Sequence, residues 1–194
     1  MNALKSVCVY CGSRTGVGDQ YSQIAERMGR LIADAGLTLV YGAGSIGLMG
    51  IVARTVLAQG GQAIGIIPEH LDRVEVSLDG LSELHIVPNM HVRKRMMFDR
   101  ADAFVALPGG LGTLDELIEV TTWAQLGLHN KPIVVVNQDG YWDALIELVD
   151  HVIDHGFAGP ESAQLFTVVD DIADVLPTLA SLYEPEPVVH ADLI

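Results

Sequence analysis

Short apolar runs alternate along the chain with longer segments in which apolar residues recur every three or four positions. The short runs predict β-strands over residues 6–10, 37–41, 63–67, 84–87, 103–107, 133–137 and 166–169. The longer segments predict helices over residues 19–35, 48–59, 89–101, 113–126, 141–155 and 171–181. Such alternation is typical of an α/β protein, and we expect a Rossmann-like, mostly parallel sheet with helices on both faces.

The length and composition suit one domain. The chain has 194 residues, of which 49% are hydrophobic, and this is enough to build a single buried core. We expect residues 1–183 to form that domain and residues 184–194, which begin Glu-Pro-Glu-Pro, to be a flexible tail. The segment before the first strand is too short for a signal peptide or a membrane span, so we expect a cytoplasmic protein.

The charge of the chain is strongly negative and unevenly placed. Its 25 acidic and 11 basic residues give a net charge of −14, which repels polyanions and argues against nucleic acid or a membrane as partner. Three basic residues are nevertheless consecutive, Arg93, Lys94 and Arg95. They indicate either an anion-binding element or a solvated helix face on which Arg95 pairs with Asp99.

The strongest local motif is Leu-Pro-Gly-Gly-Leu-Gly-Thr-Leu-Asp-Glu at residues 107–116, between a predicted strand and a predicted helix. Glycines let the backbone approach an anion, and the free N–H groups of a helix N-terminus attract it. We therefore expect a phosphate-binding loop, and the ligand to be a nucleotide. The alternative is a tight turn followed by an ordinary capping box made by Thr113 and Glu116.

Two further glycine-containing loops follow predicted strands. Residues 42–50 spell G-x-G-x-x-G, and Glu69 stands where a ribose-binding acid would be in a dinucleotide site, so an oxidoreductase is one alternative. The presence of a second anion loop favours instead a ligand held between several strand ends. The third loop, residues 11–14, offers the hydroxyl of Ser13 or is a plain turn.

Together these segments resemble the LONELY GUY family, the cytokinin riboside 5′-monophosphate phosphoribohydrolases often labelled lysine decarboxylase-like. The resemblance rests on Gly-Ser-Ile-Gly-Leu-Met-Gly at 44–50, Met-His-Val-Arg-Lys at 90–94, and the motif at 108–116 with its continuation through 126. It departs from the family at Leu111, where many members have Tyr, at Asp115, where many have Glu, and at Ala43, which interrupts a glycine run.

The resemblance implies hydrolysis of the N-glycosidic bond of an adenosine 5′-monophosphate, N6-modified or not, without a cofactor, in a homodimer. It gives Glu116 the role of the catalytic carboxylate beside the anomeric carbon, and Arg93 a charge-orienting catalytic role, since its pKa makes it a poor proton donor. The residues that the prediction places at the substrate are Ser13, Gly44, Gly47, Met49, Glu75, Arg93, Lys94, Gly109, Gly110, Leu111, Gly112, Thr113, Leu114, Asp115 and Thr121.

The same residues bear on several other functions. Lysine decarboxylation needs a Schiff-base lysine, and Lys5, Lys94 and Lys131 are poorly suited to that role, so we reject it. No metal is expected, because His151 and His155 lack further ligands. An AMP nucleosidase-type activity, a nonenzymatic nucleotide or cofactor carrier, and the dinucleotide-dependent oxidoreductase stay open as alternatives.

Overall fold

The computed structural model describes residues 4–72 and 78–184. In these ranges seven parallel strands form one sheet in the order β4-β3-β2-β1-β5-β6-β7. The strands are β1 (Ser6–Tyr10), β2 (Thr38–Tyr41), β3 (Gln62–Pro68), β4 (Glu83–Val87), β5 (Ala103–Ala106), β6 (Ile133–Val136) and β7 (Thr167–Val169). The helices are α1 (Gln20–Asp34), α2 (Gly47–Ala58), α3 (Glu69–Asp72), α4 (Met90–Arg100), α5 (Leu111–Gln125), α6 (Asp143–Asp154) and α7 (Val175–Leu182).

Helices cover both faces of the sheet, and each face has its own apolar cluster. Helices α1, α2 and α7 pack on one face, where Met28, Val52 and Leu179 are buried. Helices α4 and α5 pack on the other face with α6, and Phe98 and Leu117 are buried there. The central strands are apolar throughout because both of their faces are covered. The predicted α/β, Rossmann-like fold is confirmed.

The order of the strands reverses beside β1. From β1 the chain adds β2, β3 and β4 on one side, and then returns to add β5, β6 and β7 on the other side. The carboxyl ends of β1 and β5 therefore open onto a crevice between loops that leave in opposite directions. In open α/β sheets this switch point is where ligands bind. The glycine-rich loops after β1 and β5 both begin at this point.

The structure corrects three local predictions. Helix α5 begins at Leu111, two residues before the predicted start, and its N-cap is Gly110, which has no side chain to cap with. The alternative of a Thr113–Glu116 capping box is therefore wrong. The structure also contains the one-turn helix α3 after β3, where no helix was predicted.

Two predictions fall on residues that the structure does not describe, namely Glu75 and nearly all of the predicted tail. Within 4–72 and 78–184, none of the helices combines the length and the apolar character that crossing a membrane requires.

Candidate active site

The loops after β1, β2 and β5 are tied together by backbone hydrogen bonds around Gly12. The N–H of Gly12 donates to the carbonyl oxygen of Pro108 at 3.1 Å, and its own carbonyl accepts from the N–H of Leu48 at 2.9 Å. Gly47 has a φ of +61°, and a side chain there would meet the backbone of Ser13. Glycine is therefore required at Gly47 both for conformation and for close packing, and the three loops form one rigid unit.

The N-terminus of α5 is open. A Cβ atom added to Gly110 or Gly112 would meet no heavy atom within 4 Å, whereas one added to Gly109 would meet the Thr113 side chain and, at 2.9 Å, the nitrogen of Gly12. Neither Gly110 nor Gly112 has a positive φ. Packing in the described chain thus explains Gly109 but not the other two, which leave the first N–H groups of the helix accessible to an anion.

Arg93 is a buried cation anchored by the ends of two strands. Its Nε donates to the carbonyl oxygen of Ile66 at 3.2 Å and its Nη2 to that of Gly42 at 3.3 Å. Its Nη1 lies 3.6 Å from Oε1 of Glu116, and only 9% of the Arg93 side chain is exposed. The alternative of a solvated face is therefore wrong for Arg93, although the expected pair between Arg95 and Asp99 is present at 2.8 Å.

Glu116 is a carboxylate kept in an unfavourable environment. Its side chain is 11% exposed and points into α4 rather than into water. Burial raises its pKa to about 7; Arg93 and Lys94 oppose this shift, and Asp115 and Glu119 add to it. A carboxyl group with a pKa near neutrality is easily switched between its charged and neutral forms, which is a common property of catalytic groups.

Lys94 is held by two carboxylates of α5. Its Nζ lies 2.9 Å from Glu119 and 3.2 Å from Asp115. Burial lowers the pKa of Lys94, but the hydrogen bonds to these two carboxylates outweigh that effect and raise it. The positive charge of Lys94 is therefore already matched before any ligand arrives.

Two cavities meet at the glycine-rich loop that joins β5 to α5. The first, which we call the Glu116 cavity, has a volume of about 220 Å³ and is lined among others by Cys11, Ser13, Met49, Arg93, Leu111 and Glu116. The second, which we call the switch-point cavity, has a volume of about 470 Å³ and is lined among others by Arg14, Tyr21, Leu48, Pro108, Gly109 and Tyr141. Ser13, Gly110 and Leu111 line both, so the cavities are neighbours.

The predicted site residues fall into three groups. Most of them line the two cavities: Ser13, Met49, Arg93, Gly109, Gly110, Leu111, Gly112, Thr113, Asp115 and Glu116. Gly44, Gly47, Lys94 and Leu114 lie in the surrounding loops and helices without lining either cavity. Thr121 is not brought to this place: it bonds to the Leu117 carbonyl and lines a separate cavity between α5 and α6. Glu75 lies outside the described residues.

Sequence reasoning missed three contributors to this geometry. Tyr141, which follows the carboxyl end of β6, donates its hydroxyl to the Gly109 carbonyl at 2.6 Å and so holds the glycine-rich loop after β5. Cys11, a free and buried thiol, lines the Glu116 cavity, and burial raises its pKa. Glu119 completes the surroundings of Lys94. No spacing rule connects Tyr141 to Gly109. Glu119, by contrast, lies four residues after Asp115 on the predicted helix, and this spacing identifies the two as neighbours on one face.

The described residues offer little support for metal binding or for a Schiff-base lysine. Among the residues of 4–72 and 78–184, no three His, Cys, Asp or Glu side chains are grouped so that they could hold a metal ion. Lys131 lies just before β6, at the opposite edge of the sheet, where its Nζ donates to the Phe98 carbonyl at 2.7 Å. Lys94 is occupied by two carboxylates. Neither lysine stands free in the glycine-rich crevice.

Comparison with known proteins gives one consistent result. Residues 49–179 match the family described as "Possible lysine decarboxylase". The chain is 45% identical to a cytokinin riboside 5′-monophosphate phosphoribohydrolase from Rhodococcoides fascians, over 91% of this chain and 90% of the relative. It is 41% identical to one from Arabidopsis thaliana, over 94% and 83% respectively.

Solved structures agree on the architecture. The molybdenum cofactor carrier protein of Chlamydomonas reinhardtii superimposes with a TM-score of 0.70 over 92% of this chain and 98% of its own. The identity of the two sequences is 20%, so the likeness shows a shared fold alone.

Proposed function

Since the chain belongs to the LONELY GUY family of cytokinin riboside 5′-monophosphate phosphoribohydrolases, we propose that it hydrolyses the N-glycosidic bond of N6-modified adenosine 5′-monophosphate. The products are the free base and ribose 5-phosphate. The observation that carries this proposal is the pairing of buried Arg93 with Glu116, 3.6 Å apart, in a cavity that borders the open N-terminus of α5.

The geometry supports a division of roles. The N–H groups at the start of α5 hold the phosphate, and Gly110 and Gly112 leave room for it. Breaking the bond places positive charge on the sugar, and the ionised carboxylate of Glu116 stabilises that charge from its largely buried position. A water molecule then adds to the anomeric carbon and loses a proton, which completes the hydrolysis. Arg93 holds Glu116 in place, and its positive charge keeps a larger fraction of the Glu116 carboxyl groups ionised. Its guanidinium does not supply the proton that the leaving base takes up, because it stays protonated.

The alternatives differ in what they release. An AMP nucleosidase uses the same chemistry with an unmodified base, and the exposed Leu111 at the rim of both cavities is a position where base preference can be set. A carrier binds the nucleotide and releases nothing. An oxidoreductase would need the acid Glu69 at the ribose, but Glu69 is an exposed residue of α3 that lines neither of the two cavities.

One experiment separates these functions. The purified protein is incubated with AMP, with isopentenyladenosine monophosphate and with the corresponding nucleosides, and the products are resolved by chromatography. We expect free base and ribose 5-phosphate from the monophosphates, with the modified base released faster. We expect nucleosides to react at least tenfold more slowly, a difference of ~1.4 kcal/mol. Binding without release of base would contradict the proposal and favour the carrier.

We further propose a homodimer, formed through the exposed face of α5 and α6. Ile118 and Leu148 are large apolar residues that are 43% and 56% exposed, and both line the apolar cavity in which Thr121 lies. The family resemblance predicts a homodimer, and a second copy of the chain is the occupant that we propose for this face. In that arrangement Thr121 faces the partner rather than its own Glu116 cavity.

The free thiols of Cys8 and Cys11 fit the reducing cytosol that the sequence predicts.

The dimer is tested by measuring the mass in solution by light scattering. Ile118→Asp and Leu148→Asp each place a charge on the proposed interface, and we expect them to yield monomers that keep the fold. The control is Val17→Asp, because Val17 is 89% exposed and belongs to neither α5 nor α6. A wild-type protein that is monomeric at micromolar concentration would contradict this part of the proposal.

A further inference from the structure

We propose that Arg14 recognises the phosphate of the substrate and that the phosphate end lies in the switch-point cavity. This inference rests on the proposed function and deepens it, because it assigns a residue that the resemblance does not include. It also places the charge that meets the phosphate outside the run of Arg93, Lys94 and Arg95, which the sequence suggested as an anion-binding element. The observations that support it are the charges around the glycine-rich loops, the lining of the switch-point cavity and the anchoring of the loop that carries Arg14.

Other cations near the carboxyl ends of the strands are already engaged. Arg93 is bound by two carbonyl oxygens and lies 3.6 Å from Glu116, and Lys94 is bound by two carboxylates. Arg54 donates to the carbonyl oxygen of Ser45 at 2.6 Å. Among the residues that the structure describes, the guanidinium of Arg14 makes neither a hydrogen bond nor an ion pair. Arg14 is an exposed residue, so its charge is accessible to a ligand.

The switch-point cavity has the composition of an anion-binding pocket. At about 470 Å³ it is within the size range of small-molecule sites, which the Glu116 cavity alone is not. Its lining contains the glycines of two loops, the aromatic rings of Tyr21 and Tyr141, and Arg14 as its one charged residue. None of its lining residues is acidic, although acidic residues outnumber basic ones in the chain as a whole. A phosphate placed here therefore meets positive charge and no local repulsion.

The backbone that carries Arg14 is fixed before the ligand binds. The hydrogen bonds of Gly12 to Pro108 and Leu48 hold the start of the loop. A side chain on Gly47 would collide with the Ser13–Arg14 peptide, so α2 is packed directly against it. Only the side chain of Arg14 has to be ordered on binding, which limits the entropic cost of using it.

The residues shared by the two cavities indicate how the ligand is oriented, with its phosphate in one cavity and its sugar toward the other. Ser13, Gly110 and Leu111 line both cavities, so a phosphate on one side of these residues is close to a sugar on the other side. With the phosphate held by Arg14 and the N-terminus of α5, the ribose passes these residues, and its anomeric carbon reaches Glu116. A nucleoside lacks the group that Arg14 binds, and so Arg14 is a determinant of specificity for the monophosphate.

The test compares Arg14→Ala and Arg14→Lys with the control Arg30→Ala, which removes the same charge from an exposed pair on α1. For each protein, kcat/KM is measured with isopentenyladenosine monophosphate and with its nucleoside. We expect Arg14→Ala to lose about 10- to 100-fold with the monophosphate, the scale of a hydrogen bond to a charged group, and to change less than twofold with the nucleoside. Arg14→Lys should recover part of the loss, and Arg30→Ala should behave as wild type.

A binding measurement keeps this inference separate from the proposed reaction. Calorimetric titration of AMP and of inorganic phosphate into wild type and Arg14→Ala gives Kd values whether or not hydrolysis occurs. Weaker binding of both ligands to Arg14→Ala supports the inference even when no base is released, in which case only the proposed function fails. Hydrolysis by Arg14→Ala with an unchanged preference for the monophosphate, or unchanged Kd values, would overturn the role of Arg14 and leave the proposed function intact.

Discussion

The guanidinium of Arg93 occupies the space that a side chain at Gly42 would need, and it donates to the Gly42 carbonyl at 3.3 Å. Gly42 does not have a positive φ, so the close approach of Arg93 accounts for glycine at this position. The relationship joins α4 to the end of β2. It also places the buried charge of Arg93 next to Glu116, which belongs to a third element, α5.

Replacing Gly42 by Ala should therefore act through Arg93. We expect Gly42→Ala to lower kcat by about 10- to 100-fold, because the methyl group displaces the guanidinium from Glu116. In an Arg93→Ala background the same substitution should change kcat less than twofold. The measurement is a double-mutant cycle on kcat, with thermal unfolding to verify the fold. Additive effects of the two substitutions would show that Gly42 matters for another reason.

Glu116 should make the stability of the protein depend on pH in a defined window. Its pKa is about 7 in the folded state and near 4.5 when unfolded. The folded state therefore keeps a proton that the unfolded state releases, and the free energy of unfolding falls as pH rises from about 4.5 to 7. For Glu116→Gln this loss is absent, so its advantage over wild type should grow between pH 5 and pH 8 by up to ~3 kcal/mol.

Denaturant unfolding of Glu116→Gln and wild type at several pH values measures this difference. The amide oxygen of Gln still accepts a hydrogen bond from Arg93, so the substitution removes the charge with little change of shape. The control is Glu147→Gln on α6, because Glu147 is exposed. A constant difference between Glu116→Gln and wild type across this range would contradict the raised pKa of Glu116.

The rate should follow the same ionisation in the opposite direction. If the charged carboxylate stabilises the developing cation, kcat/KM rises with pH and levels off above about 7, the pKa of Glu116 in the free protein. Below that pH it falls tenfold per unit. Glu116→Gln should lose about 10²- to 10⁴-fold in kcat and should lack this limb. A rate that falls as pH rises through 7 would show that the neutral form is the active one.

Substitution of Gly112 should change stability and AMP affinity in opposite directions. It lies in the first turn of α5, and a methyl group there would meet nothing within 4 Å. We expect Gly112→Ala to raise the free energy of unfolding by ~0.5–1 kcal/mol, because alanine is the better helix former. The methyl group should also weaken AMP binding at least tenfold by blocking the helix N–H groups. Thermal unfolding and calorimetry check the two effects, and unchanged AMP affinity would show that the bound ligand does not use the N–H groups of this turn.

The sequence was sufficient to predict the sheet and the loops. Strands such as Ile133–Val136 are apolar at every position, which identified them as buried on both faces. The glycines at 109, 110 and 112 identified a loop, because glycine is a poor helix and strand residue. Asn89 starts the predicted helix at 89–101, and in the structure its side chain caps α4 by accepting from the N–H of Val92 at 3.0 Å. These features depend on residues close together in the chain.

Features set by distant contacts were beyond reach of the sequence. Arg93, Lys94 and Arg95 are equivalent as a run of charges, but the strand ends bury Arg93 while Arg95 pairs with Asp99. The start of α5 was placed too late because Gly110 and Gly112 are poor helix residues, and the packing of the loop overrides that preference. Thr121 lies on the same side of α5 as Ile118, but only the packing of α6 against that side shows that it lines a separate cavity.

The position of β1 in the sheet has a consequence for how the protein is made. Strand β1 is synthesised well before its partner β5, and the backbone N–H of Ser6 donates to Asp102, 96 residues later. Gly12 cannot meet Pro108 until that long segment has been synthesised and closed into a loop, a step that slows folding. Nascent chains shorter than this segment therefore present the first two glycine loops without the third, and the ability to bind nucleotide is acquired late in folding.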